Sequence, residues 1–184
     1  LSKADLFQRR DGIFILKKLG MLFLAVLFLF IVKVPASAEP LFNPNDLTAP
    51  CGLSVEELSP VLKGLSDYAE EFLAAEEKYG VNAVFLASLA AFESGWGKHC
   101  FRQNNLFGWG KKEFCSKEEC IDFVARRISE WYLSKEGKYY NGAGLCGVNA
   151  CYNGSAVWYS CVLGMMQGVA ARVERLGTGE IVAC

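Results

Sequence analysis

NAVFLASLAAFESGWGKHC, residues 82–100, is the segment on which the architecture turns. Asn82 has the side chain to cap a helix, and the twelve residues after it, 83–94, are apolar on every side, the pattern of a helix enclosed by its own domain. Gly95 and Gly97 end it. Its last turn carries one acid, Glu93, beside Ala90, Ala91 and Phe92. Loss of solvation and the partial negative charge of a helix C-terminus both favour the protonated form. A carboxylic acid that keeps its proton near neutral pH is what a general acid needs to protonate a leaving oxygen.

Helical signals extend outward on both sides. Upstream, Ser54 with Glu57 has capping-box spacing, and Ser59 before Pro60 offers a second start. Leu62, Leu65, Ala69, Phe72, Leu73 and Tyr79 then recur at helical spacing until Gly80, opposite a solvated acidic face of Glu70, Glu71, Glu76 and Glu77. Downstream, Ser116 with Glu119 predicts a third long helix bearing Ile121, Val124, Ala125, Ile128, Trp131 and Tyr132, and a fourth begins near Ser155 and carries Trp158, Cys161, Met165, Val169, Val173 and Leu176. Two stretches rich in glycine and aromatics, NNLFGWGKKEFC (104–115) and GKYYNGAGLCGVNACYNG (137–154), read as short strands and loops. The expected fold is therefore α+β but mainly helical. One domain, 54–184, accounts for the chain after a proline-bearing linker, 39–53.

Residues 1–38 read as a secretory signal peptide with a long basic leader. Lys17 and Lys18 precede the apolar run LGMLFLAVLFLFIV, residues 19–32, and Ala36 and Ala38 form an A-x-A site. Lys33 ends that run short of the roughly 20 apolar residues a membrane span needs, so no stable membrane anchor is expected after cleavage. Beyond Ala38 stand 13 basic against 18 acidic residues, a net −5, which argues against nucleic acid as partner. All eight cysteines lie past that point, and an even count in an exported domain reads as disulfides, with Cys146 and Cys151 able to close a short loop and Cys184 either tying down the C-terminus or standing as a free thiol. With no C-x2-C pair and His99 as the single histidine, neither a metal site nor a cofactor is expected.

Trp96, Phe101, Phe107 and Trp109 follow Glu93 closely, together with Asn104 and Asn105. Flat rings and amides are what a sugar and its N-acetyl groups contact. At this point FLASLAAFESGWGKH followed by NNLFGWG resembles the signature of the glucosaminidase domain family, glycoside hydrolase family 73. The similarity continues through SKEECIDFVARRISEWYL, GKYYNG, GVNACYNGSAVW and the last helix, over about residues 60–175.

The resemblance implies a lysozyme-like fold with a small β-lobe, and an endo-β-N-acetylglucosaminidase of peptidoglycan or another N-acetylglucosamine-containing glycan; with the leader of residues 1–38 the expectation is a secreted or cell-wall-associated monomer. It implies Glu93 as general acid and Tyr152 as the tyrosine ahead of the last helix, although Asn153, Gly154 and Ser155 alter that tyrosine's usual context. Many relatives carry a longer, aspartate-bearing loop after LFGWG. Here Glu113 is the candidate by position for a second carboxylate, and an exposed acid on a hairpin is the alternative. Trp96, Asn104, Asn105, Phe107, Trp109, Tyr139 and Tyr140 are the expected substrate contacts. A lytic transglycosylase on the same glycan, or a cell-wall binding protein with weakened catalysis, are the competing readings.

Overall fold

A computed structural model describes residues 40–178 of the chain. The leader, its cleavage point and Cys184 lie outside the described residues. Helix α1 is Val55–Leu58, with both halves of the Ser54–Glu57 capping box in place. Two 3-10 segments follow, Ser59–Val61 with proline in its first turn and Lys63–Tyr68. Next come α2 (Ala69–Tyr79), α3 (Ala83–Ser94), α4 (Lys117–Ile128), α5 (Leu145–Tyr152) and α6 (Ala156–Gly177).

The predicted caps hold. Gly80 and Gly95 close α2 and α3 in the left-handed conformation, at φ 63° and 56°, where a side chain would cost about 1–2 kcal/mol. Asn82, Ser116 and Ser155 accept backbone N–H groups at the starts of α3, α4 and α6. Helix α3 is the centre of the molecule: every residue from Ala83 to Ala91 is buried. It packs chiefly against α6, and α2 packs against α4. Fully buried Phe72, Phe85 and Phe107 each contribute about 1.5–3 kcal/mol through the surface they remove from water.

The structure departs from the sequence reading in five places. The long helix expected from Leu62 begins as a 3-10 run, because Lys63 is left-handed (φ 53°) and the backbone at Gly64 presses on the carbonyl of Trp96. Helix α5 stands where strands and loops were expected; Leu145 and Val148 bury one face, and Gly147 permits the preceding loop to lie on it. No strand forms among the described residues, so the expected small β-lobe is absent there; a single isolated bridge, Asn43 to Asp46, lies in the N-terminal segment instead. The lobe's place is taken by loops whose polar backbone is satisfied by side-chain amides.

The disulfide staples are also absent among the described residues, where seven cysteines are free thiols. Cys146 and Cys151 occupy one helix, and five residues of helix rise separate them by about 7.5 Å, beyond the usual reach of a disulfide. Finally, residues 40–53 do not hang loose. Leu47 is fully buried, its N–H donates to Ala143 O (2.9 Å), and Asn82 Nδ2 donates to Leu41 O (3.0 Å) and Ala49 O (2.9 Å). Glu76, assigned above to a solvated face, accepts from the N–H groups of Cys51 (3.0 Å) and Ala83 (2.7 Å) and so ties this segment to the start of α3.

Candidate active site

Helix α3 carries Glu93 to the edge of the core, half-buried. Burial pushes its carboxyl above the ordinary carboxylate range, and a hydrogen bond from the indole of Trp158 opposes part of that rise. Trp158 Nε1 donates to Glu93 Oε1 at 3.1 Å across 65 positions of sequence. The other oxygen, Oε2, lies beside Gly108, where an added Cβ would sit 3.6 Å away. Gly108 holds φ 59°, so the loop's backbone comes up to the acid with no side chain between.

A wall of aromatic rings runs away from this acid. Trp158 stacks on Tyr152 (5.3 Å between centroids), and Tyr152 meets Tyr132 (5.8 Å) and Trp109 (6.2 Å). Trp109 continues to Trp131 and Phe123, each at 6.1 Å, and Tyr139 closes the group against Trp131 and Tyr132. A five-residue π-turn, Ser129–Leu133, continues from the end of α4 and places Trp131 and Tyr132 in it; π-turns are frequent at functional sites. Gly137 makes the fit possible: a Cβ there would stand 2.6 Å from Trp131 O.

Tyr152 sits at the end of α5 and donates its hydroxyl to Phe107 O (3.2 Å). Burial, with the charge of Glu93 as a smaller contribution, pushes its phenol far up, so it stays neutral at any working pH. Glu93, Trp158, Tyr152 and the backbone of residues 107–108 thus form a closed ring of contacts around one carboxyl group.

The remaining expected site residues divide by what their polar groups are doing. Trp109 is partly exposed and belongs to the wall, as does Tyr139, while Tyr140 turns outward, 37% exposed. Phe107 lies in the core. The amides of Asn104 and Asn105 are engaged by their own loop: Asn104 Nδ2 donates to Phe114 O and Cys115 O, and Asn105 accepts from Trp109 N (2.9 Å) while donating to Lys112 O (2.9 Å). A loop with no sheet to pair with needs such internal donors, and these amides brace it. Trp96 packs under Lys63 (5.0 Å) and Arg172 (5.1 Å). Glu113 is exposed and pairs with Arg102 at 3.7 Å, and His99 is exposed.

Sequence reasoning missed Phe123, Trp131, Tyr132 and Trp158 as members of the site. Three of them had been assigned only to helix apolar faces. One signal was available: Phe123, Arg127 and Trp131 stand four apart, and the guanidinium of Arg127 lies over both rings, at 5.2 and 4.7 Å.

Comparison with known proteins fits this site. The glucosaminidase family, described as mannosyl-glycoprotein endo-beta-N-acetylglucosaminidase, matches residues 69–166, just over half of the chain, and that span contains Glu93, the aromatic wall and Tyr152. Two Streptococcus pneumoniae proteins, from different strains, bear the provisional name endo-beta-N-acetylglucosaminidase. Each is 28% identical to this chain over 151 residues, covering 72% of it. The alignments cover 22% and 21% of those relatives, so the chain spans about a fifth of their length.

Proposed function

This chain belongs to the glucosaminidase family, and from that premise we propose that it is a secreted endo-β-N-acetylglucosaminidase that hydrolyses peptidoglycan glycan strands with Glu93 as general acid. The observation that carries the reading is the state of Glu93: a half-buried carboxyl with a raised pKa, at the head of a continuous aromatic surface. Family membership supports a glycan hydrolase. Export and the cell-wall substrate rest on the apolar leader and A-x-A site of residues 1–38. The mainly helical build, with the acid at the end of an enclosed central helix, agrees with a lysozyme-like fold.

The chemistry follows from the surroundings of the acid. Protonated Glu93 delivers its proton to the glycosidic oxygen as the bond to the sugar carbon breaks, and a positively charged oxocarbenium-like sugar develops. The partly exposed ring of Trp109, backed by the ring of Tyr152, is the aromatic face available to that sugar. Among the described residues no second carboxylate shifts Glu93, and Glu113 is turned to its own arginine. A route in which the substrate's N-acetyl group acts as nucleophile suits this single-acid site.

Incubating the domain with purified cell walls tests the reading. New N-acetylglucosamine reducing ends are expected from wild type, and Glu93→Gln lowers their rate by about 100-fold or more. Equal release by the two forms refutes it. The single acid also favours a second reading, a lytic transglycosylase, whose products carry an anhydro ring that mass spectrometry of the same digest detects.

A further inference from the structure

The two oxygens of Glu93 are not equivalent. Oε1 faces an indole N–H, and Oε2 faces the open backbone of Gly108. An indole nitrogen can only donate. When Glu93 is protonated, the better acceptor is the carbonyl-type oxygen, so the oxygen held by Trp158 is the one without the proton. We propose that Trp158 is the positioning residue of the acid, holding Oε1 as permanent acceptor so that Oε2, beside Gly108, carries the proton and delivers it. This rests on the reading of Glu93 as general acid.

Trp158 is itself well anchored for the task. It is 2% exposed and lies in the first turn of α6, where Ser155 Oγ accepts from its backbone N–H. Its ring is stacked on Tyr152, whose hydroxyl is bound to Phe107 O, and the next residue is the Gly108 that faces Oε2. The indole and the backbone that frame the two oxygens are therefore linked to each other through Tyr152.

The hydrogen bond also changes strength during the reaction. The bond from the sugar carbon to the leaving oxygen breaks with its electron pair on that oxygen, which takes the proton from Oε2. Glu93 is left as a carboxylate, and water completes the sugar directly or after attack by the N-acetyl group. Negative charge then reaches Oε1, where a donor already waits, and a hydrogen bond to a charged acceptor is about twice as strong as one to a neutral group. The same bond holds back the rise in pKa that burial imposes. The other titratable groups on this side are Tyr152 and, behind it, Tyr132 and Cys120, all held neutral by burial; Cys120 is pushed up to about 11.

Trp158→Phe keeps a six-membered aromatic ring and removes the N–H together with the rest of the five-membered ring, so the pH profile, not the rate alone, decides. On cell-wall glycan its maximal rate falls by about tenfold or more, the effect of losing one hydrogen bond to a charged group. The alkaline limb of its kcat/KM profile moves to higher pH, because the interaction that favoured the carboxylate is gone. A lower rate with an unmoved limb identifies Trp158 as packing alone and overturns the proposal, as does an unchanged rate. A measurement that needs no Trp158 variant is the indole 1H–15N resonance of Trp158 followed against pH. It moves in one step in wild type and stays flat in Glu93→Gln; a flat line in wild type overturns the proposal. If wild type releases no glycan products, the hydrolase reading fails first, before any variant is compared.

Discussion

Replacing Asn82 by alanine tests the helix that delivers the acid, at its far end. Asn82 is fully buried and makes three side-chain bonds: Oδ1 accepts from Phe85 N (2.9 Å), and Nδ2 donates to the carbonyls of Leu41 (3.0 Å) and Ala49 (2.9 Å). Loss of an N-cap costs about 1 kcal/mol. Each lost bond to Leu41 and Ala49 adds about 1 kcal/mol, at the lower end because both carbonyls belong to partly exposed residues that water can reach. The expected loss is therefore about 3 kcal/mol, a large share of the roughly 5–15 kcal/mol that holds a domain of this size together. Urea unfolding of Asn82→Ala against wild type measures it, and limited proteolysis reports where the damage falls. Cleavage is expected within residues 40–53 before any cut in α3. Asn82→Asp keeps the cap acceptor and replaces the amide donor by an oxygen facing the carbonyls of Leu41 and Ala49, so its loss reports the donor plus that repulsion. A loss below about 1 kcal/mol in Asn82→Ala would mean that the cap is the whole contribution and that the N-terminal segment is held by other contacts.

Three further outcomes follow from the acid and its loop. Because the folded pKa of Glu93 is raised, its stabilising effect is complete below the ordinary carboxylate range and is lost as pH rises through the folded value; Glu93→Gln should therefore melt above wild type at pH 7, with the gap closing at pH 4, and a constant gap would contradict the burial penalty. Gly108→Ala places a methyl on a backbone at φ 59° and 3.6 Å from Oε2, so a stability loss of about 1–2 kcal/mol in urea should accompany a fall in kcat, and unchanged turnover would show that the leaving oxygen does not approach from that side. Glu113→Gln removes an exposed pair to Arg102 worth about 0–1 kcal/mol and should leave glycan release near the wild-type rate; a collapse of activity would make Glu113 the second carboxylate.

The sequence by itself determined whatever a few neighbouring residues can settle. Asn82, Gly80, Gly95, Ser116 and Ser155 act through their own backbone angles and through hydrogen-bond partners two to four positions away, so their roles as caps were legible. An all-round apolar segment has one solution in water, so α3 had to be central and Glu93 had to end inside the domain. What only the tertiary structure decided is which groups surround that acid. Trp158 reaches Glu93 because α6 packs on α3; Trp131 and Tyr132 join the wall because a π-turn and a close-packed glycine hold them there, and Phe123 meets Trp109 from α4. Asn104 and Asn105 look in sequence like sugar contacts, yet their amides serve a loop that no strand supports. Helical period states which face of a segment is buried; it cannot state against what, and the chemistry of Glu93 lies in that second fact.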